Sequence, residues 1–178
     1  SNFPKFGFYQ TKKVTKILER FKNEGRINEI TLRLHNENGF EEEIYYKNTF
    51  PNLKIETRET NPYFYHLLNK AKIKIFTSDY TANMQSLAIN HPTIFLWDNK
   101  MIKENPKFSI IYKNLKKNKI LFNSEDDCLS HIFEIEKDIY SWWNSNDVQE
   151  AKNEYLENFC RFSNNLVDRF RDEIFNEN

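Results

Sequence analysis

Ser78, Asp79 and Thr81 stand between two short apolar runs, at 73–76 and 93–97, and all three are residue types that cap helices and carry oxygen atoms able to bond a ligand. Met84, Leu87 and Ala88 follow at helical spacing, and Asn90 with His91-Pro92 supplies a stop, so the spacing predicts strand, turn, short helix, strand. In a parallel sheet the turn of such a βαβ unit lies beyond the carboxyl ends of the strands, where the N–H groups opening a helix attract an anion. Together with the Thr81 hydroxyl they make a metal-free cradle for a phosphate. Asp79 would repel a phosphate that it faced, and is expected to cap the helix or to meet ribose. Capping alone accounts for the same three residues without any ligand.

Two further residues suit an anion. Arg33 and His35 lie on the polar face of a predicted strand, near its carboxyl end, where an arginine pairs bidentately with phosphate and a histidine donates to it. A surface arginine and an ordinary strand-end histidine explain them equally. His91, before a proline at a helix exit, reads as structural, and His66 and His131 sit in amphipathic helices and carry no functional claim. Trp142, Trp143, Tyr155 and Phe159 have the chemistry of a sugar-stacking platform, but aromatic residues at helical spacing are expected in a core or an interdomain contact. No pair of carboxylates in a DxD pattern falls at a strand end, so no metal is expected; Asp126-Asp127 belongs to a helix start. No catalytic base is visible.

The elements that must position these residues follow in order. The aromatic stretch 6–9 reads as a remnant strand, and Val14, Ile17, Leu18 and Phe21 predict a helix ending before Gly25. Alternation at 30–34 predicts a strand, 36–39 a turn, 41–43 a helix start and 53–56 a short strand. Asn61-Pro62 then caps a helix carrying Phe64, Leu67 and Leu68. After the central unit come a helix through Phe108, Ile111, Tyr112 and Leu115, a strand at 119–122, and a helix opened by Ser124 and Asp127 as a capping box, with Leu129, Ile132, Phe133 and Ile139 inward. From Asp147 to about Phe175, apolar residues at every third or fourth place predict one long amphipathic helix or two joined ones. Strands alternating with helices argue for an α/β protein with a three-layer, doubly wound parallel sheet and a long C-terminal helical tail. Such a fold usually opens on a strong strand, which is expected to precede residue 1; Ser1-Asn2, without an initiating Met, resembles the remnant of a cleaved tag.

With 178 residues the chain has room for one domain with a substantial core. Its 26 basic and 26 acidic residues balance, which removes a global field for nucleic acid or anionic lipid, and the lysine-rich run 113–119 reads as a solvated helix end. Aromatic residues make up 16% and glycines number only 3, as expected of a packed globular chain. Cys128 and Cys160 are too few and too distant in sequence for a disulfide framework or a zinc site, which fits a reducing cytoplasm.

Three stretches carry a resemblance: ITLRLHNENGF at 30–40, SDYTANMQSLAINHPTIFLWD at 78–98 and WWNSNDVQEAKNEYLENFCRFS at 142–163. Together they resemble the C-terminal part of a family of transferases from bacterial O-antigen and surface-polysaccharide clusters, themselves similar to GT-B glycosyltransferases. The resemblance implies a Rossmann-like domain at 1–140 that binds a nucleotide-sugar donor, and a helical extension at 141–178 packing on it or on an N-terminal half that holds the acceptor site and the base. By position it also assigns the turn Asp79, Tyr80, Thr81 and Ala82 to the donor side. Gln85 falls where the pattern usually has a glutamate that holds ribose hydroxyls; glutamine keeps the hydrogen bonding and loses the charge. The implied donor-binding set is Arg33, His35, Ser78, Asp79, Tyr80, Thr81 and Gln85, with no cofactor beyond the nucleotide-sugar substrate and no nucleic-acid partner. The implied location is cytoplasmic, with a lipid-linked acceptor drawing the protein to the periphery of the inner membrane. The alternative expectation is a non-catalytic α/β module that docks a protein through its aromatic tail.

Overall fold

The computed structural model describes residues 3–34, 39–57, 70–79, 81–98, 100 and 102–160, with side chains from residue 10 onward except 39 and 40. In chain order the elements are α1 (Phe3–Asn23), β1 (Thr31–Arg33), α2 (Gly39–Thr49), β2 (Lys54–Glu56), β3 (Lys74–Phe76), α3 (Thr81–Ala88), β4 (Thr93–Leu96), α4 (Ser109–Lys117), β5 (Leu121–Phe122), α5 (Glu125–Ile135), α6 (Ile139–Trp143) and α7 (Asn146–Phe159). Short 3-10 turns at Ile27–Glu29 and Pro106–Phe108 lead into β1 and α4.

Among the described residues all the strands pair in parallel. β1 and β2 form one ladder, Thr31 opposite Lys54 to Arg33 opposite Glu56, and β3, β4 and β5 form a second in that order. Every residue of β4 is buried, as a strand covered on both faces must be. Alternation along it sorts the core into two halves: Ile94 and Leu96 join Ile17, Leu18 and Phe21 of α1, Tyr46 of α2 and Leu129 and Ile132 of α5, whereas Phe95 and the following Trp97 join Leu87 of α3, Ile111, Tyr112 and Leu115 of α4, Trp143 of α6 and Val148, Ala151 and Tyr155 of α7. Helices thus cover both sides of the sheet, the three-layer α/β arrangement in Rossmann-like form.

Several expectations change. Among the described residues two small ladders stand in place of one continuous doubly wound sheet. Their strands run only two to four residues, so each offers few backbone bonds, and the halves are joined instead through side chains: Leu32 and Ile55 pack against the same cluster as Ile73 and Ile75. The aromatic stretch 6–9 is helical, the opening of α1; Pro4 fits a first turn, where its missing N–H is not needed. The buried face of α3 is Asn83, Ser86 and Leu87, while Ala88 is exposed. Ser86 can face inward because its hydroxyl donates to Thr93 Oγ1 at 2.7 Å, and Thr93 in turn donates to the His91 carbonyl at 2.7 Å. Ile139 opens a separate short helix, α6, because Asp138 caps it by accepting from the Ser141 N–H at 3.0 Å.

Ser124 caps α5 as expected, accepting from the Asp127 N–H at 3.3 Å. Asn90 ends α3 with a φ of 56°, the left-handed conformation asparagine tolerates at a helix stop. The helix expected after Asn61-Pro62, the turn residues 36–38 and the tail beyond Cys160 lie outside the described residues. Among the described residues no helix is long and apolar enough to cross a membrane.

Candidate functional site

The corner between β3 and α3 forms as the sequence leads one to expect. β3 ends at Phe76, and Thr77, Ser78 and Asp79 turn the chain into α3, whose first residue is Thr81. Parallel pairing with β4 puts this turn at the carboxyl edge of the sheet, and the free N–H groups of α3 open there. Two side chains hold it. Asn83 Nδ2 donates to the Ser78 carbonyl at 2.6 Å, tying the first turn of the helix to the strand exit. From α1, Gln10 Nε2 donates to Thr77 Oγ1 at 2.9 Å. Farther along the same edge, Lys13 Nζ donates to the Asn123 carbonyl at 3.0 Å and lies 3.2 Å from Glu125 Oε1, while Asn123 Nδ2 donates to the Trp97 carbonyl at 3.1 Å. α1 is therefore pinned at the level where β3 and β5 end.

Of the implied donor-binding set, Thr81 is exposed at the helix start, Ser78 and Gln85 are half-buried, and Asp79 is exposed at the turn, although protein mass on one side pushes its carboxyl above the usual carboxylate range. Arg33 is half-buried at the end of β1, in the other ladder. His35 and Tyr80 lie outside the described residues. Tyr112 and Tyr155 are both raised, first by burial and then by the Asp79 charge; Cys160 is raised in the same way. The charge of Asp79 thus bears on Tyr112 of α4 and Tyr155 of α7, a neighbourhood that sequence order does not announce. The readable signal was at Asn83, a polar residue four places before buried Leu87 and so on the inward stripe of α3.

The aromatic residues weighed as a stacking platform belong to the core. Phe95 and Trp97 stack at 5.1 Å, Tyr155 lies 5.6 Å from Phe95 and 4.7 Å from Phe159, and Trp143 is fully buried. The two signature stretches are also bonded to each other, at the opposite edge of the sheet. Trp143 Nε1 donates to the Asn90 carbonyl at 3.0 Å, Lys152 Nζ to Asn90 Oδ1 at 2.7 Å and to Gln149 Oε1 at 2.6 Å, and Gln149 Nε2 to the Trp143 carbonyl at 2.7 Å. The turn at Asn90 and the Trp-Trp…Val-Gln segment form one structural clamp.

Two open cavities lie away from the corner. One of about 500 Å³ runs beside β5 and α5, with Lys119, Asn123, Asp127 and His131 among its walls, and one of about 350 Å³ lies in the groove between the packed helices α4 and α7. His131 is buried between Phe122 and Trp142, and burial lowers its pKa. Among the described residues no three His, Cys, Asp or Glu side chains converge as metal ligands would.

Comparison with known proteins yields one relationship. Residues 22–174 match the family described as "LIC12162 family transferase". No curated protein and no solved structure matches the chain.

Proposed function

The chain belongs to the LIC12162 transferase family, and from that premise we propose that it is the donor-binding half of a GT-B-like glycosyltransferase acting in surface-polysaccharide synthesis. One observation carries the reading: the helix start at Thr81 opens at the carboxyl edge of a parallel sheet, braced from two sides by Asn83 and Gln10. Glycosyl transfer needs the leaving phosphate held while charge develops on it. The N–H groups of α3 and the Thr81 hydroxyl supply donors for it, and Arg33 at the end of β1 supplies a guanidinium. The base that activates the acceptor is assigned to a partner half, as is the acceptor site. The donor half then works at the cytoplasmic side of the inner membrane, on a lipid-linked acceptor.

The described part of the C-terminal helices does not favour a docking role, since Trp143, Val148, Ala151 and Tyr155 are spent on the chain's own core. Calorimetric titration with nucleoside mono- and diphosphates tests the proposal. Saturable binding is expected, weakened roughly tenfold or more by Thr81→Ala or Arg33→Ala, the loss of one hydrogen bond to a charged group. A folded chain that binds none of them overturns it.

A further inference from the structure

The balanced charge of the chain hides a local imbalance. Residues 99–119 hold seven lysines and a single acidic residue, Glu104, and that one is taken by Lys116 at 2.6 Å. Lys103, Lys107, Lys113 and Lys117 are exposed and form no ion pair among the described residues. Because α4 buries Ile111, Tyr112 and Leu115, its helical period turns Ile110, Lys113 and Lys117 outward. Ile110 is 67% exposed there, the most exposed large apolar side chain among the described residues. Connectivity places this face in the molecule. β4 runs toward the carboxyl edge of the sheet, and the chain must travel back through α4 before β5 can pair in parallel, so Lys103, Lys107 and Ile110 sit at the carboxyl edge and Lys117 toward the other. Asp147, Glu150 and Glu154 of α7 border α4 beside Lys117, which leaves the charge at the carboxyl end uncompensated.

Cations grouped around one exposed isoleucine suit a bilayer that carries anionic lipids. The surface potential attracts the ammonium groups, while their methylene stems and Ile110 reach toward the acyl boundary. A protein partner, including another half of the same enzyme, fits less well, since lysine is depleted from such interfaces. Nucleic acid would use the charge but not the isoleucine, and the nearby rings that could stack on bases are turned inward, Phe108 against Phe159 at 4.8 Å. We infer that the outer face of segment 103–113 docks on an anionic lipid surface, which brings the carboxyl edge of the sheet, where the corner at Ser78 opens, beside the bilayer. A lipid-linked acceptor asks only that the enzyme meet a lipid; in this arrangement the chain itself supplies the contact, whether or not a nucleotide binds.

Co-sedimentation of the full chain with vesicles tests this, without nucleotide. Binding is expected to vesicles of equal parts phosphatidylcholine and phosphatidylglycerol and not to phosphatidylcholine alone, and to be lost at about 1 M salt, where charges are screened within about 3 Å. The combined substitutions Lys103→Glu, Lys107→Glu and Lys113→Glu should weaken it by roughly a hundredfold or more, the product of three lysine contributions. Lys12→Glu, Lys70→Glu and Lys137→Glu together change the net charge equally from exposed positions on other faces, and should weaken it far less. All six side chains are exposed, so neither triple disturbs the core. Ile110→Ser, at constant charge, should weaken binding severalfold. Indifference to the anionic vesicles, or equal losses in the two triples, overturns the inference. So does an Ile110→Ser variant that binds as before, or a polyuridine strand held more tightly than the vesicles, since either would make the face a site for any polyanion. None of these outcomes bears on the nucleotide titration, so the donor-binding reading stands or falls separately.

Discussion

Lys74 carries a charge that its surroundings oppose. Ile73 and Ile75 pack toward the cluster under α1 and α5 while Phe76 packs toward the other, so alternation sends the Lys74 side chain to the α3 side, where its Nζ is buried with no hydrogen-bond partner among the described residues. Burial lowers its pKa from 10.5 to about 7, and nearby His91 is lowered by burial with a smaller contribution from the Lys74 charge. The sign follows from proton linkage. Between about 7 and 10.5 the unfolded chain binds the proton and the folded chain releases it, so the cost of Lys74 is full below 7 and fades as pH rises through that window. Lys74→Met is therefore expected to stabilise the protein by at least about 1–3 kcal/mol at and below neutral pH, the scale of an unpaired buried polar group, with the part of the gain that comes from the charge fading toward pH 10. Denaturant unfolding of both proteins at several pH values measures it; a difference independent of pH would show that Nζ reaches water. Nothing in the sequence singled out Lys74. A lysine between two isoleucines reads as the polar beat of a strand, and only the depth of β3 decides whether its amine escapes to solvent.

At the level of elements, the end of α3 and the start of α7 are held as a unit. Asn90 is left-handed at φ 56°, where backbone preference alone would favour glycine. Its side chain has a second task, since Lys152 is buried and bonds only to Asn90 and Gln149, with no carboxylate paired to it among the described residues. Asn90→Gly relaxes the backbone but leaves that ammonium one acceptor short. It is expected to destabilise by about 1–2 kcal/mol, because a hydrogen bond to a charged group outweighs the conformational gain. In a Lys152→Met background the same substitution should be neutral or stabilising. A double-mutant cycle by chemical denaturation reads this coupling, and glycine stabilising both backgrounds would dissolve the clamp. The elements themselves were largely legible: the periodicity of Val14, Ile17, Leu18 and Phe21 located α1, Ser124 with Asp127 located the start of α5, and the run at 93–97 located β4. Aromatic residues at 6–9 hid the opening of α1, since side chains common in strands also suit a helix that begins at a proline. The buried face of α3 was misplaced because Ser86 is satisfied by Thr93, a pairing across elements that periodicity does not contain.

For the molecule as a whole, the open question is whether two ladders and two clusters behave as one body. Which residues form short parallel strands was readable; whether β1 and β2 join the larger ladder was not, because that depends on spacing between elements far apart in sequence. The corner at Ser78 to Thr81 was readable for the opposite reason, being local. What surrounds it, Gln10 from α1 and the Tyr112 and Tyr155 that sense Asp79, comes from distant parts of the chain. The packing argues for unity. β4 lends Ile94 and Leu96 to one cluster and Phe95 to the other, and Trp142 packs against both. Removing a side chain from one half must therefore be felt in the other. Ile94→Ala opens a cavity on the α1 side and should cost about 2–5 kcal/mol. Two of the three tryptophans, Trp97 and Trp143, lie in the opposite cluster and Trp142 touches both, so tryptophan fluorescence reports mainly on the half that the substitution does not touch. In a two-state molecule the transition seen by fluorescence should shift to lower denaturant as far as that seen by far-ultraviolet circular dichroism, the two curves superimposing. A fluorescence transition that stays in place while the dichroism moves would divide the fold at β4. In that case the corner at Ser78, which draws Gln10 from one side and Asn83 from the other, would have no single scaffold to hold it.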